Sequence, residues 1–300
     1  MIRILIVGCG DVAMRAANLL GDRARLIGLT RNADDVARLR ARGIVPLIGD
    51  LDDLRALSRL RTAPGAVMHF APPPAEGRGD PRTGRLLAAL AKARRIPRRF
   101  VYISTTGVYG DCAGARIDET RPRRAQSPRA RRRVNAEDRL RAWAARNGVS
   151  LAILRAPGIY ASSRLPLERV RQGTPVLSAE HDVYTNHIHA DDLARAAVAA
   201  LFLGRPNRAY HATDDSELKM GEWFDALADA HQLPRPPRVD WDEAEARIAP
   251  VLLSFMNESR RLSNDRLKRE LRVRLAYPTP QAFLEAAAPR APRRQMPLAF

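Results

Sequence analysis

Apolar and polar residues follow one another along the first 105 positions in blocks that predict strands and helices in turn. Short continuous apolar runs, typical of strands covered on both faces, predict five strands: Ile2–Val7, Arg25–Leu29, Ile44–Ile48, Ala66–Phe70 and Phe100–Ser104. Apolar residues at helical spacing predict the helices between them: Asp11–Leu20, Asp34–Arg42, Leu51–Leu60 and Thr83–Ala93. This alternation predicts an α/β fold, a parallel sheet with helices on both faces.

The rest of the chain has weaker signals, which predict the end of the sheet and a smaller lobe. We expect a loop over Gly107–Pro128, an irregular stretch over Ala156–Thr185, helices at Ala130–Arg146, Asp191–Leu203 and Leu218–His231, and strands at Ser150–Leu154 and Ala209–Ala212. A sheet domain is therefore predicted over residues 1–165, completed by residues 186–212. A smaller C-terminal lobe is predicted over residues 166–185 and 213–288, followed by a flexible tail over residues 289–300.

Two glycines stand directly after the first predicted strand and open the first predicted helix. The segment Gly8-Cys9-Gly10-Asp11-Val12-Ala13 has the G-x-G-x-x-A spacing of the dinucleotide fingerprint. The first glycine allows the tight turn, the second lets the backbone approach a pyrophosphate, and the small Ala13 lets helix and strand pack closely. Because free N–H groups at a helix N-terminus bind such a pyrophosphate, we expect a doubly wound, Rossmann-type sheet with dinucleotide contacts at Gly8, Gly10, Asp11 and Val12.

The end of the second predicted strand indicates which dinucleotide is expected. NAD-binding versions of the fingerprint usually carry an acid about twenty residues further on, which binds the ribose 2′-hydroxyl. Here the strand ends in Leu29-Thr30-Arg31-Asn32, without an acid, and Arg31 can pair with a 2′-phosphate. We therefore expect NADP, with NAD as the alternative, and contacts from Thr30 and Arg31. A solvated surface arginine is the alternative for Arg31, and Asp34 is expected to cap a helix.

The net charge of +18, from 51 basic and 33 acidic residues, first suggests a nucleic-acid partner. Only three of the basic residues are lysines and the chain is rich in alanine, a balance that coding bias also produces. An aromatic content of 5% leaves little material for base stacking. We therefore expect no nucleic-acid partner. The excess is local, because 15 basic and five acidic residues lie between Lys92 and Arg141.

Cysteine content and hydropathy limit the setting of the protein. Two cysteines, Cys9 and Cys112, exclude a disulfide framework and a Cys-based zinc site, so a reducing, cytoplasmic location is expected. No apolar run approaches the roughly 18 residues that a membrane span needs, and the N-terminal run is too short for a signal peptide. We expect no membrane partner.

Six further segments follow one another in order along the chain. They are Gly49-Asp50-Leu51-Asp52, Phe70-Ala71-Pro72, Tyr102–Gly110, Arg155–Tyr160, Asn186–Leu193 and Ser263–Leu271. With the glycine turn, they resemble the extended short-chain dehydrogenase/reductase superfamily, in particular its NAD(P)-dependent epimerase/dehydratase group. The resemblance implies cofactor contacts at Asp50, Leu51, Phe70, Ala71, Pro72, Pro157, Gly158 and Ile159. It also explains His189 and Asp191-Asp192 as a strand end that caps a helix, so we expect no metal site.

The chain departs from this family at the catalytic centre. The family carries a Ser or Thr on the fifth strand and a Tyr-x-x-x-Lys on the next helix. Thr105 fits the hydroxyl, but Arg129 and Arg133 stand in the tyrosine and lysine positions. A guanidinium does not release its proton near neutral pH, so we expect positive charge from Arg129 and ribose contacts from Arg133. Another group must therefore donate the proton, and the candidates are Tyr109, Tyr160 and Tyr184. For each of them, a role in packing alone is the alternative.

The resemblance implies an atypical oxidoreductase, epimerase or dehydratase that transfers a hydride at a carbinol or carbonyl carbon. The catalytic residues expected are Thr105, Arg129, Arg133 and Tyr109, and the substrate is a small molecule, acidic or phosphorylated. The missing Tyr–Lys pair leaves a second hypothesis, a sensor or regulatory module that binds NADP(H) without turnover. Charge alone motivates a third, a nucleic-acid-associated protein.

The oligomeric state is left open between a monomer and a homodimer. Members of this family commonly dimerise through the helices that correspond to Thr83–Ala93 and Ala130–Arg146. Arginines on that face oppose self-association unless acidic partners such as Glu137 and Asp138 offset them.

Overall fold

Seven parallel strands form the central sheet of the protein, for which a computed structural model describes residues 1–57, 60 and 64–287. Among these residues the strands are β1 (Ile2–Val7), β2 (Ala24–Thr30), β3 (Val45–Ile48), β4 (Ala66–His69), β5 (Arg99–Thr105), β6 (Arg116–Ile117), β7 (Ser150–Ala156), β8 (Gly158–Tyr160), β9 (Val176–Leu177), β10 (His187–His189), β11 (Arg208–His211), β12 (Arg238–Val239) and β13 (Arg261–Leu262). The predicted tail at 289–300 lies outside the described residues.

Among the same residues the helices are α1 (Asp11–Leu20), α2 (Asp35–Arg40), α3 (Pro81–Ala91), α4 (Pro128–Asn147), α5 (Leu167–Arg171), α6 (Ala190–Leu203), α7 (Met220–Ala230), α8 (Trp241–Arg247), α9 (Pro250–Met256), α10 (Asp265–Arg269) and α11 (Pro280–Ala287). Six of them, α1 to α4, α6 and α7, match predicted helices with small changes at their ends, whereas α5 and α8 to α11 were not predicted. None of these helices is long and apolar enough to cross a membrane.

The strand order of the sheet places the glycine turn at its centre. The order is β11-β7-β5-β4-β1-β2-β3, so the chain winds in one direction from β1 to β3 and in the other from β4 onward. Val7 is in register with Leu29 on β2 and with His69 on β4. The carboxyl ends of three strands therefore meet beside Gly8, at the point where ligands bind in open α/β sheets. This confirms the predicted Rossmann-type doubly wound fold.

Separate apolar clusters cover the two faces of the sheet. On one face, α1, α2 and α6 pack with residues such as Ile4, Met14 and Leu193, and on the other face α3 and α4 pack with residues such as Phe100 and Leu140. A third buried cluster is built from α7, α11 and the short elements after Tyr160, so the C-terminal lobe has a core of its own. Its predicted boundaries stay a prediction.

Two segments predicted to be irregular contain short strands, each of which pairs in parallel with a strand elsewhere in the chain. Strand β6 lies in the predicted loop Gly107–Pro128 and pairs with β13, while β8 and β9 lie in the predicted irregular stretch and pair with β10 and β12. Each strand has only two or three residues, and its partner is distant in sequence. Such pairs leave no local pattern that a sequence can reveal.

The predicted helix Leu51–Leu60 is wrong for the residues described, which form turns and a short 3₁₀ segment. Asp50 Oδ1 accepts a hydrogen bond from the backbone N–H of Asp52 at 2.8 Å, and Asp53 Oδ1 accepts one from Arg55 at 2.8 Å. Aspartate side chains that take backbone N–H groups in this way compete with helical hydrogen bonds. Residues 58 and 59 lie outside the described part of the chain.

Candidate functional site

A cavity of about 850 Å³ opens at the carboxyl ends of β1, β2, β4 and β5. Most of the residues predicted to contact the cofactor or the reacting atoms line this cavity. They are Gly8, Gly10, Asp11, Val12, Thr30, Arg31, Asp50, Leu51, Phe70, Ala71, Pro72, Thr105, Arg133, Pro157 and Ile159. They come from seven separate segments of the sequence. The sheet brings these segments together because all its strands run in parallel and end at one edge.

The two glycines of the turn are needed for different structural reasons. Gly8 has a φ of +87°, and a Cβ atom on it would lie 2.6 Å from the backbone nitrogen of Ala71. Gly8 is therefore required by the fold itself. A Cβ atom on Gly10 would meet no heavy atom within 4 Å. Gly10 is not needed for packing, and it leaves the cavity open directly in front of helix α1.

The N-terminus of α1 is suited to an anionic ligand. Gly10 is its N-cap residue, and no side chain caps the first N–H groups of the helix. These donors lie beside the open cavity, where the helix dipole favours negative charge. Ala13, the third position of the fingerprint, is buried. The turn therefore fits the pyrophosphate of a dinucleotide.

The far end of this cavity carries two arginines and one acid. Arg38 donates to Asp35 Oδ1 at 2.6 Å and to the carbonyl oxygen of Cys9 at 3.1 Å, and the hydroxyl of Thr30 donates to Asp35 Oδ2 at 2.8 Å. The hydrogen bonds from Arg38 and Thr30 hold the pKa of Asp35 below its usual range. Arg31 is exposed and forms no ion pair among the described residues. The acid at this end is therefore already neutralised, whereas Arg31 is free.

Asp35 is an acid that sequence reasoning did not place in the cavity. The prediction for its neighbour is right in position, because Asp34 is the N-cap residue of α2, but its side chain accepts no capping hydrogen bond. The backbone N–H of Asp34 instead donates to Asn32 Oδ1 at 3.0 Å. In this turn the Asp35 side chain lies beside Thr30 at the end of β2, a contact that the sequence pattern does not predict.

A second cavity of about 380 Å³ adjoins the first and lies against the C-terminal lobe. Thr105, Pro157, Ile159 and Arg164 line both cavities. Gly158 lines the second cavity, one residue from two that face the first. The wall that separates the cavities is thus formed by the end of β5 and the turn after β7.

Arg129 and Arg133 stand one helical turn apart on α4, each at a different cavity. Arg133, at the first cavity, donates to the phenol of Tyr102 at 3.0 Å and to the carbonyl oxygen of Ile103 at 2.7 Å. Arg129, at the second cavity, lies 4.0 Å above the centre of the Phe255 ring. Burial lowers the pKa of Arg129, and neighbouring arginines lower it further.

Thr105 lies between these arginines, at the junction of the cavities. Its side chain accepts a weak hydrogen bond from the backbone N–H of Gly107, at 3.3 Å. The hydroxyl proton is therefore available to a ligand, because accepting this bond leaves the donor function unused.

Tyr109 lines neither cavity, which corrects our expectation that it reaches the reaction centre. Its ring is buried, and its hydroxyl receives a hydrogen bond from Arg155 and contacts His211 Nε2 at 2.6 Å. Burial raises the pKa of Tyr109 to about 12, and Arg155 opposes this only in part. Tyr109 is therefore a packing residue of the protein interior. Of the three tyrosines considered as proton donors, Tyr160 and Tyr184 line the second cavity.

Only part of the lining of the second cavity was named from the sequence, namely Thr105, Arg129, Pro157, Gly158, Ile159, Tyr160 and Tyr184. Its walls include the arginines Arg129, Arg164, Arg169 and Arg260, the acid Glu258, and the aromatic residues Tyr160, Tyr184, Trp223, Phe224 and Phe255. Most of them lie within residues 162–185 and 218–261, which carry no recognisable motif. Short elements with few residues each supply them, so no periodicity marks them.

In the described part of the chain, four polar atoms of residues that line this cavity are buried without a hydrogen-bond partner. They are Tyr160 Oη, Arg169 Nε, Arg260 Nε and His187 Nδ1. Burial lowers the pKa of His187 to about 3, so the ring is neutral. Within the described residues no group of three His, Cys, Asp or Glu side chains can hold a metal ion. His189 Nδ1 accepts from the N–H of Asp191 at 3.2 Å, which confirms the predicted cap of α6.

Comparison with known proteins adds a family to this geometry. The model of the NAD dependent epimerase/dehydratase family matches residues 9–212. A dTDP-glucose 4,6-dehydratase of Streptomyces niveus is 26% identical over 219 residues, which is 66% of this chain and 63% of that protein, so the match spans less than two thirds of the relative.

Solved structures extend the comparison to nearly the whole chain. A functionally unknown conserved protein from Silicibacter pomeroyi DSS is 31% identical, with 95% of this chain and 98% of that chain covered and a TM-score of 0.79. A dTDP-glucose 4,6-dehydratase from Streptomyces venezuelae, solved with NAD bound, shares 20% identity, with 94% and 96% covered and a TM-score of 0.75. UDP-glucose 4-epimerase from Thermotoga maritima, solved with UDP-glucose, shares 17% identity, with 94% and 97% covered and a TM-score of 0.74.

Proposed function

We propose, from the premise that this chain belongs to the NAD dependent epimerase/dehydratase family, that it is an enzyme that transfers a hydride at a carbinol or carbonyl carbon. The observation that carries this proposal is the position of Thr105. Its side chain lies at the junction of the two cavities, with Arg133 on one side and Arg129 on the other. Arg129-x-x-x-Arg133 stands where the family has Tyr-x-x-x-Lys.

A nicotinamide dinucleotide fits the first cavity. The uncapped N–H groups of α1 and the open space at Gly10 receive its pyrophosphate, while Asp50 and Leu51 line the cavity wall on the other side. When bound, the dinucleotide supplies the hydride acceptor or donor. Arg133 donates two hydrogen bonds to the sheet, to Tyr102 and Ile103, and its remaining N–H groups would be available to ribose hydroxyls of the cofactor.

Thr105 and Arg129 act on the reacting oxygen of the substrate. The hydroxyl of Thr105 donates a hydrogen bond to that oxygen, which fixes the carbon to be reduced or oxidised. The guanidinium of Arg129 stabilises negative charge as it develops on the oxygen, and desolvation of Arg129 by Phe255 makes this effect larger than in water. Arg129 holds its proton throughout, so the proton itself passes to the substrate from another group.

NADP is the cofactor that the far end of the first cavity favours. Arg31 lines that end without an acidic partner, and it can bind a 2′-phosphate through two N–H groups. The carboxylate of Asp35, which also lines this cavity, is bound by Arg38 and Thr30, so it is not free to accept from ribose hydroxyls. Both features favour the phosphorylated cofactor over NAD.

The substrate is an acidic or phosphorylated small molecule. Four arginines and one glutamate line the second cavity, which gives it a net positive charge. The related structures include a UDP-glucose 4-epimerase and MoeE5, both solved with UDP-glucose, so negatively charged substrates occur within this fold. A cytoplasmic location stays a prediction from the cysteine content.

Turnover of NADPH tests the proposed function. The full-length protein is incubated with NADPH and a panel of sugar nucleotides, aldehydes and ketones, and the loss of nicotinamide absorbance is followed. We expect turnover that falls at least about a hundredfold in Thr105→Ala and is retained in part by Thr105→Ser, which keeps the hydroxyl. NADPH binding without turnover across the panel would instead indicate a cofactor sensor.

A further inference from the structure

Four arginines and one glutamate line the second cavity, so most of its positive charge has no carboxylate beside it on the cavity wall. Glu258 is ion-paired with Arg260 at 2.8 Å, and the described residues give neither Arg129 nor Arg169 a carboxylate within ion-pair distance. Arg169 instead lies 4.2 Å above the Phe224 ring, and burial lowers its pKa. Partly buried guanidinium groups without a counter-charge are unfavourable unless a ligand supplies one.

The unpartnered polar atoms point to the same place. Arg169 Nε, Arg260 Nε and His187 Nδ1 are buried and lack partners, although buried polar groups are normally hydrogen-bonded. His187 itself is only 4% exposed, and its Cδ2 lies 3.5 Å from where a Cβ atom of Gly158 would be. His187 thus lies against the turn that separates the two cavities. Two of these atoms are guanidinium nitrogens, so Arg169 and Arg260 both have hydrogen-bonding capacity that the protein does not use.

The size of the cavity limits that ligand. The first cavity, which suits a dinucleotide, measures about 850 Å³, and the second measures about 380 Å³, less than half of it. A nucleoside diphosphate sugar is nearly as large as a dinucleotide. A volume of about 380 Å³ lies near the lower end of the roughly 300–1,000 Å³ that small-molecule sites occupy. This corresponds to a compact molecule without a nucleotide.

We propose that the second cavity binds a compact oxoanion, a carboxylate or a phosphate monoester, whose charged group lies among Arg129, Arg169 and Arg260 and whose apolar body packs on Trp223 and Phe224. The proposal rests on the proposed function, because it names the substrate of that enzyme. It departs from the structural relatives solved with UDP-glucose. The carbon skeleton then extends from the arginines toward Thr105.

Calorimetric titration of the full-length protein loaded with NADP⁺ tests this proposal. The probes are benzoate and phenyl phosphate as compact anions, benzyl alcohol as their neutral counterpart, and UDP-glucose. We expect both anions, or one of them, to bind, and benzyl alcohol and UDP-glucose to bind at least about tenfold more weakly. The tighter of the two anions identifies the substrate as a carboxylate or a phosphate monoester.

Variants of the arginines supply the control. Arg169→Gln should weaken binding of the anions about tenfold or more, because a charge-assisted contact is lost. Arg171→Gln should leave it unchanged, since Arg171 lies on the same short helix but its side chain is 56% exposed and outside the cavity. If Arg169→Gln does not fold, Arg129→Gln carries the same expectation.

Other outcomes would overturn the proposal. These are an absence of binding by both anions, equal binding of benzyl alcohol, tighter binding of UDP-glucose, or equal losses in Arg169→Gln and Arg171→Gln. NADP⁺ affinity is measured separately in the same protein. Loss of NADP⁺ binding would contradict the proposed function, whereas anion binding that fails beside normal NADP⁺ binding contradicts this inference alone.

Discussion

Arg155 and Glu137 form a two-point ion pair with both side chains inside the protein. Arg155 Nε lies 3.1 Å from Glu137 Oε1, and Arg155 Nη2 lies 2.8 Å from Glu137 Oε2. The hydroxyl of Ser104 donates to the same carboxylate at 2.7 Å. One acid on α4 is thereby joined to β5 and β7. Because α4 also carries Arg129 and Arg133, this pair fixes the helix that positions them.

Removal of the Glu137 charge should destabilise the protein strongly. In Glu137→Gln the Arg155 guanidinium keeps its charge in the interior without a counter-ion, and such a change costs about 3–5 kcal/mol. Asp138→Asn is the matched control, because Asp138 is the next residue and pairs with Arg123 at the surface, where a pair contributes at most about 1 kcal/mol. Urea denaturation measures both. Similar losses in the two variants would show that the buried pair has no special role.

The same pair changes how the surface of α4 is understood. Glu137 was expected as an acidic partner for arginines on a dimer face, but it is fully buried and bound to Arg155. Asp138 remains at the surface, where it pairs with Arg123 at 2.7 Å. The outward face of α4 is therefore more positive than the sequence suggests.

Substitution of the two fingerprint glycines should affect different properties: stability at Gly8 and cofactor binding at Gly10. Gly8→Ala should lower the free energy of unfolding by at least about 1–2 kcal/mol, because alanine disfavours a φ of +87° and its Cβ would clash with Ala71. Gly10→Ala should fold normally, since its Cβ meets no neighbour, but it should weaken NADPH binding about tenfold or more. Melting curves and fluorescence titration with NADPH measure the two effects. Normal NADPH affinity in Gly10→Ala would place the pyrophosphate elsewhere.

Arg31 should determine the preference between the two nicotinamide cofactors. We expect Arg31→Ala to weaken NADPH about 10- to 100-fold, the value of one charge-assisted contact, and to leave NADH nearly unchanged. Arg40→Ala is a suitable control, because Arg40 is also exposed on the nearby helix α2 but does not line the cavity. Equal affinity of the wild-type protein for NADPH and NADH would rule out this role.

Asp214 should make the stability of the C-terminal lobe depend on pH. Burial raises the pKa of Asp214 to about 7, and the hydrogen bonds from Ser216 oppose the increase only in part. A carboxyl group whose pKa is raised in the folded state binds its proton more tightly there than in the unfolded chain. Its contribution is therefore complete below the unfolded pKa of about 3.9 and is lost as the pH rises through about 7.

The measurement compares the wild-type protein with Asp214→Asn between pH 5 and pH 8. The wild type should lose stability relative to the variant as the pH rises, because only the wild type must ionise a buried carboxyl group. Glu119 and Asp182 also have pKa values raised by burial, and they contribute equally to both proteins, so they cancel in the difference. A constant difference between the two proteins over this range would contradict a raised pKa of Asp214 in the folded state.

The central sheet and the cofactor cavity were predictable from the sequence because their signals are local. Buried parallel strands such as Ile2–Val7 read as continuous apolar runs, and the glycine turn follows directly. Hydrogen bonds within a few residues also explain the main error in the predicted helices. The side chains of Asp50 and Asp53 favour turns after β3, and the helical spacing of apolar residues hid this competition.

The second cavity and the burial of Tyr109 were not predictable, because both depend on contacts across long sequence distances. The partners of Tyr109 are Arg155 and His211, which are 46 and 102 residues away. The arginines of the cavity come from separate short elements, in a chain where 51 basic residues make any one arginine uninformative. Only the folded arrangement distinguishes Arg169, which faces the cavity, from Arg171, which faces solvent.

The unpartnered guanidinium nitrogens of Arg169 and Arg260 have a practical consequence for the search for the natural substrate. A ligand that binds the folded protein and not the unfolded chain raises the melting temperature, and at equal concentration a tighter ligand raises it further. A collection of metabolites can therefore be sorted by melting temperature alone, before any reaction is known. The compound that raises the melting temperature most at a given concentration is then the first candidate for the substrate.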